Sequence, residues 1–328
     1  MSLKENILNI KTKILMNYIK KHRLLKGLNK ADMMEGLSTN ATSERTYSRI
    51  ENSERPVTLE EAEHFSVKIG KTLSSILEEL EKEERIKFFN HVENINRLIS
   101  NQNWIKAENE YKALILQTYY NKSNSIYTQC ILLLEGIFEL DYKNRPPHAL
   151  TIFLRSLSET QSQLINKKNK KIDINHLSQI PLSHMEYRIM MNIAKCEGMI
   201  RPSMDGSIEL EMAILRSLQL DLVDVEIRKR MQPAVSYNLS ESLLTQKRYR
   251  EVVDLTTSNI FYCLETKSPK MLGGLYCNKA EALYYLANKT EALSCFQKSY
   301  DHLIKWNENK KAETVKKYAL NKFSFKLN

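Results

Sequence analysis

Glycine and proline are scarce in this chain of 328 residues, at eight and seven. Strands and hairpins need turn residues at short intervals, so this scarcity, beside abundant Leu, Lys, Glu, Ile and Ala, predicts an all-α protein. Neither Gly-x-Gly-x-x-Gly nor Gly-x-x-x-x-Gly-Lys-Ser/Thr occurs, which excludes the usual backbone cradles for nucleotide phosphates. The five cysteines, Cys130, Cys196, Cys263, Cys277 and Cys295, form no Cys-x-x-Cys pair and no even framework. Reduced, packed thiols and a cytoplasmic location follow. No run approaches 18 apolar residues, and the N-terminus has no uninterrupted hydrophobic segment with a small-residue cleavage site, so neither a membrane span nor secretion is expected. The seven histidines lack metal-ligand spacing and no Ser or Cys sits in a nucleophile motif, so no enzyme activity, cofactor or metal is expected. His184, beside Glu186 and Arg188, reads as a helix-capping or solvated residue.

The chain is basic, with a formal charge of +10 and a pI near 9.1, which favours a polyanionic partner. From Lys4 to Lys30 only Glu5 is acidic. A second basic concentration, Lys298 to Lys326, reads as a solvated helix face.

Tyr47-Ser48-Arg49-Ile50-Glu51, preceded by Ser43-Glu44-Arg45-Thr46 and by Gly27-Leu28-Asn29-Lys30-Ala31-Asp32-Met33-Met34, has the pattern of the second and third helices of a helix-turn-helix. Tyr47 and Ile50 face inward; Glu44, Arg45, Ser48 and Arg49 face outward. Helix one is expected over about Ile10 to Leu24, with Ile14, Leu15, Tyr18 and Ile19 on one face. Asn29 caps helix two, with Asp32 as the acid of a capping box, and Thr58-Leu59-Glu60-Glu61 opens helix four. Leu73, Ile76, Leu77 and Leu80 belong to a fifth helix. Arg45, Ser48 and Arg49 are the expected base readers or phosphate anchors. Ser43 and Glu44 lie at the same helix start, where Glu44 would accept from a cytosine amino group, and Arg55 would touch the DNA backbone.

Beyond a charged connector at Glu78 to Arg85 the pattern changes to longer amphipathic helices. Small residues in the second helix of each pair, Ala107, Ala149, Ala213, Val252 and Ala292, are separated by 42, 64, 39 and 40 residues. The longest interval holds a polar insert, Asn166 to Gln179, expected as a loop or loosely held helix. The unit from Leu275 through Ala292 to Phe296 resembles a tetratricopeptide repeat: small residues admit close helix pairs, and the aromatic residue four positions later fills the next gap. Asn278 lies 14 residues before Ala292 and Asn238 lies 14 before Val252, both opening Asn-x-Ser/Ala-Glu-Ser/Ala-Leu. Asn192 opens a similar start one unit earlier, and Glu135 holds the corresponding place in the second unit. A carboxamide donates and accepts, so such a ladder would grip the main chain of an extended peptide, with Ser242 and Ala282 leaving room. The alternative is that these asparagines only bond the next helix of the stack.

Five short helices in this order resemble the Xre/Cro-type helix-turn-helix domain. The resemblance implies an ion pair between Arg23 and Glu51 locking helix one to helix three, and a phosphate contact from Lys30 at the start of helix two. The interval from Met33 to Glu51 departs from that pattern by about three extra residues within Gly36 to Thr42. Together the two parts, a domain over residues 1–80 and a solenoid of about five helix pairs over 81–328, resemble the peptide-sensing regulators of the Rgg, PlcR and PrgX (RRNPP) group. That resemblance implies a cytoplasmic, homodimeric transcription factor binding a double-stranded DNA operator. Its repeats would take a short signalling peptide through Glu135, Arg188, Asn192, Asn238, Ser242 and Asn278. A rival assignment gives the repeats a protein partner, which a broad, flat or acidic-lined groove would favour, whereas a deep, closed groove lined by Asn192, Asn238 and Asn278 would favour the peptide; another leaves them only a dimerising role, which would occlude the groove.

Overall fold

A computed structural model of the protein describes residues 3–37, 43–52, 54–117, 124–166, 171–201 and 203–327, with side chains from residue 13 onward. The described residues form sixteen α-helices and no strand beyond one isolated bridge between Ile165 and Ile172. The chain divides into two compact units, Met1–Tyr120 and Asn121–Asn328.

The first unit holds α1 (Leu3–Leu25), α2 (Lys30–Met34), α3 (Glu44–Glu51), α4 (Leu59–Lys68), α5 (Leu73–Ser100) and α6 (Trp104–Ile115). Helix α1 begins seven residues before the expected Ile10. It stops at Gly27, whose φ of +69° only glycine adopts without strain and which lets the Leu28 amide donate to the Arg23 carbonyl at 3.1 Å. Asn29 and Asp32 form the capping box of α2, and Thr58 and Glu61 that of α4, each satisfying two amides that would otherwise lack partners. Leu15, Ile19, Met33, Tyr47, Ile50 and Phe65, all fully buried, fuse the five N-terminal helices into one core, completed by Ile76 and Leu80. Tyr47 meets Phe65 edge to face at 5.0 Å.

Residue 80, the expected domain boundary, lies inside α5, which runs for 28 residues without a break. Its second half packs against α6, where fully buried Ala107 admits the close approach. The extra residues read between Gly36 and Thr42 fall mostly at positions 38–42, outside the described residues.

In the second unit, α7 (Ser125–Ile137), α10 (His184–Ile200), α12 (Val225–Thr245) and α14 (Leu272–Tyr285) touch in succession as one layer. Their partners α8 (Pro146–Gln161), α11 (Asp205–Leu218), α13 (Tyr249–Glu265) and α15 (Lys289–Lys305) follow each in turn, and α16 (Asn309–Phe323) packs on α15. The register residues Ala149, Ala213, Val252 and Ala292 are all fully buried, as are Phe153 and Phe296 four positions on from two of them. Seven positions after Ala149 and Ala292, Ser156 and Ser299 each donate at 2.7 Å to a carbonyl of the paired first helix, of Gln129 and Gly273. Gly136 faces Phe153 so closely that a Cβ there would lie 2.3 Å from the ring.

Four turns between consecutive helices repeat one geometry. Gln102, Lys247, Ala287 and Asn307 sit at φ of 57, 58, 65 and 57°. The amide of the next residue donates back to a leucine carbonyl, of Leu98, Leu243, Leu283 or Leu303, at 2.9 Å each time. This is the closure that usually falls to glycine; here non-glycine residues hold the left-handed position.

The insert after α8 is tied down more firmly than its lysine-rich composition suggests. The Asn166 amide donates to the Lys171 carbonyl and the Asp173 amide to Leu164, at 2.9 Å each, and Asp173 caps the short α9 (Ile174–Leu177). Leu164 and Leu177 are fully buried, an apolar anchorage that outweighs the local polarity; residues 167–170 lie outside the described set.

Candidate functional site

The N-terminal helices bring most of the expected DNA-facing residues onto one surface. Ser43 caps α3 by accepting from the Thr46 amide at 3.2 Å. Glu44, Arg45 and Arg49 are exposed along α3, and a cleft of ≈ 410 Å³ lies among Arg45, Ser48, Arg49 and Asn52. Lys30, at the first position of α2, donates to Ser48 Oγ at 2.9 Å, and Ser48 donates in turn to the Glu44 carbonyl at 2.8 Å. The positive end of α2, an ammonium and the outer face of α3 therefore converge, the arrangement that a phosphate and an adjoining groove require. Arg49 is only loosely drawn to Glu54, at 4.0 Å between two exposed side chains. Arg55 is differently placed: its guanidinium donates to Glu61 Oε1 at 2.8 Å, and Glu61 also closes the α4 capping box. It is engaged in holding the α4 start.

Behind this face, Arg23 Nε donates to Glu51 Oε1 at 3.1 Å with both side chains buried, and Arg23 also donates to the Leu28 carbonyl at 2.8 Å. The guanidinium lies over the Tyr47 ring at 6.0 Å. Removing one partner would leave a buried charge uncompensated. Burial, followed by the nearby Glu51 charge, raises the Tyr47 hydroxyl, which stays protonated as a core group.

In the second unit, a cavity of ≈ 590 Å³ opens between α10, α11 and α12. Arg188, Asn192, Asn238 and Ser242 all line it. Asn192 donates from Nδ2 to the Arg188 carbonyl at 2.8 Å. Burial lowers Arg188, which lies deep in the wall beside Cys130.

Two carboxylates join them. Glu211 is 3% exposed, and its Oε2 has no hydrogen-bond partner among the described residues. Burial raises its carboxyl to about 7, with the Ser242 hydrogen bond opposing and the Glu241 charge adding to the rise. Glu241 accepts from the Tyr237 hydroxyl; burial at the wall raises it too, while Lys195 pulls it back. Lys195 itself is bound to Asp141 at 2.7 Å.

A second cavity, of ≈ 870 Å³, adjoins the first along α12, with Tyr237, Glu241 and Thr245 lining both. Asn278 lines it but is nearly buried, donating to Ser240 Oγ on α12 at 2.7 Å. Its amide therefore performs the stack-bonding role that was the alternative for the asparagine ladder. Glu281 accepts from Tyr318 and from Lys322 Nζ at 2.6 Å. Burial and the Glu281 hydrogen bond push the Tyr318 hydroxyl up to about 12. Glu135 lines neither cavity.

Lys311 and Lys322 belong to the C-terminal basic stretch and line this second cavity, so that stretch is not simply a solvated face. The carboxylates Glu241 and Glu281 are what residue-by-residue reading missed. The signal was present, since each is the fourth residue of the same Asn-x-Ser/Ala-Glu motif. One helical turn separates positions one and four, so both project to one face. Glu211, Tyr237 and Tyr318 carry no such signal.

Neither a family model nor a curated protein sequence matches the chain. Its architecture does match solved structures. PlcR of Bacillus thuringiensis, in complex with the peptide PapR7 and DNA, aligns over 92% of this chain and 99% of its own at 18% identity, with a TM-score of 0.55. ComR of Streptococcus vestibularis, in complex with its cognate signalling peptide XIP, aligns over 93% and 98% at 13% identity with a TM-score of 0.47. The apo form of ComR from S. thermophilus aligns over 92% and 98% at 12% identity and 0.47. The chain therefore shares the all-α fold of PlcR along nearly its whole length, and the resemblance read from its motifs holds at the level of the fold.

Proposed function

We propose that the protein is a cytoplasmic, homodimeric transcription regulator that binds operator DNA through α2 and α3 and a short signalling peptide in the groove along α10, α12 and α14. The observation that carries this reading is the end-to-end match to PlcR, a structure solved with both a peptide and DNA. The site geometry supports it independently. Lys30, Arg45, Ser48 and Arg49 form a cationic, polar face around a helix start, and the cavity between α10, α11 and α12 offers Asn192 and Asn238 to a peptide main chain. A ligand that contacts several helix pairs favours one arrangement of the stack by its differential affinity for the two states, and so alters how paired recognition helices meet half-sites about 34 to 36 Å apart.

The test begins with a duplex selected from random DNA by the full-length protein. Replacing Arg45 and Arg49 together by Ala lowers affinity for that duplex by about tenfold or more in a gel shift, with helical content unchanged. An unchanged shift places the DNA surface elsewhere.

One observation favours the rival assignment to a protein partner: carboxylates of Glu211, Glu241 and Glu281 line the two cavities. The open cavities do not match the occluded groove expected of purely dimerising repeats. Calorimetry with synthetic heptapeptides separates the readings, since a protein-binding groove leaves every short peptide unbound.

A further inference from the structure

The cavity between α10, α11 and α12 contains a group that the main-chain ladder does not use. Glu211 is 3% exposed, lines the cavity, and keeps one carboxylate oxygen without a hydrogen-bond partner among the described residues. A buried acceptor in that state costs free energy unless something satisfies it. Ser242 on α12 serves this carboxyl group with its single hydroxyl. Glu241 stands on the same wall one helical turn from Asn238, its side chain steadied by Tyr237. The Glu241 charge adds to the rise in the proton affinity of Glu211, so the stretch of wall that these two carboxylates share, apart from Arg188, is suited to a positive group. Lys195 acts on Glu241 through its charge alone, because its ammonium is bound to Asp141 at 2.7 Å.

We infer that this cavity is a specificity pocket for one cationic group of the bound peptide, held by Glu211 and Glu241, while Asn192 and Asn238 hold the adjacent main chain. This rests on the peptide-binding reading given above and adds what the peptide must carry. Two sources share the chemistry, a lysine or arginine side chain and a free N-terminal ammonium. Either donates to the orphan Glu211 oxygen as a charge-assisted hydrogen bond. On this inference a neutral isostere in the ligand forfeits the contact, and an acidic one is rejected.

The experiment uses the full chain and an immobilised array of synthetic heptapeptides. Each sequence is present with lysine, with Nε-acetyl-lysine and with glutamate at every position in turn, and each with a free or an acetylated N-terminus. Wild type is expected to retain a subset whose binding falls about ten- to a hundredfold when one particular positive charge is neutralised, the range of a charge-assisted hydrogen bond. Loss on lysine acetylation identifies a side chain as the source; loss on N-terminal acetylation identifies the terminus. In Glu211→Gln and in Glu241→Gln, each checked for an unchanged helical spectrum, the charged and neutral members of such a pair bind alike. Peptides retained by wild type without any charge preference, or a preference that survives both substitutions, overturn the pocket and leave peptide binding intact. An array on which no peptide is retained overturns the peptide-binding reading itself, and this proposal with it.

Discussion

Glu211 shows at the scale of one residue how a binding feature registers as a stability liability. Its carboxyl is raised from 4.5 to about 7 by burial foremost, against the Ser242 hydrogen bond and with the Glu241 charge adding to the rise. A carboxyl whose folded value lies above its unfolded one holds its proton longer in the native state. Stability is then lost as pH rises from about 4.5 to about 7, where the native carboxylate must ionise in its buried site. Glu211→Gln removes that dependence. In urea denaturation the variant gains on wild type between pH 5 and pH 8 by at most about 3 kcal/mol; an equal difference at both pH values refutes the assignment. None of this was legible in the sequence, where Glu211 sits among other acids on α11 and only the packing of α12 across it decides its burial. Asn278 shows the opposite limit: its position on the first helix of its pair was legible, but the hydroxyl of Ser240 that takes up its amide lies one helix away.

At the scale of the element, the sequence was most informative where the chemistry is local. The boxes at Asn29 and Asp32 and at Thr58 and Glu61 need only residues three apart, and both are formed. The turn closures are local too, yet they went unread because they use Gln102, Lys247, Ala287 and Asn307 in place of the glycine that normally signals them. Ala287 has neither glycine's freedom nor asparagine's tolerance of a positive φ. Ala287→Gly should therefore stabilise the second unit by about 0.5 to 1 kcal/mol, net of the greater freedom glycine gives the unfolded chain. Asn307→Gly, at a residue that already tolerates the conformation, changes stability by far less. Denaturant midpoints that move equally for the two substitutions contradict this account. The insert at Asn166 to Gln179 illustrates what local reading misses: its polar composition concealed the two anchors, Leu164 and Leu177, that fix its ends.

For the whole molecule, the repeat register was recoverable because Ala149, Ala213, Val252 and Ala292 recur wherever two helices must approach closely, and all four are fully buried. The division of the chain was harder to read, since composition changes near residue 80 while α5 continues through it and the chain divides only after residue 120. Each unit has its own buried core, which is the condition for independent folding. Fragments 1–120 and 121–328, produced separately, should each keep a helical circular-dichroism spectrum and melt cooperatively; a fragment that loses structure gradually on heating sinks the prediction. Within the second unit, α12 serves as a party wall, with Tyr237, Glu241 and Thr245 bordering the chambers on both sides. Because the same three side chains border both chambers, an occupant of one that displaces any of them changes the lining of the other.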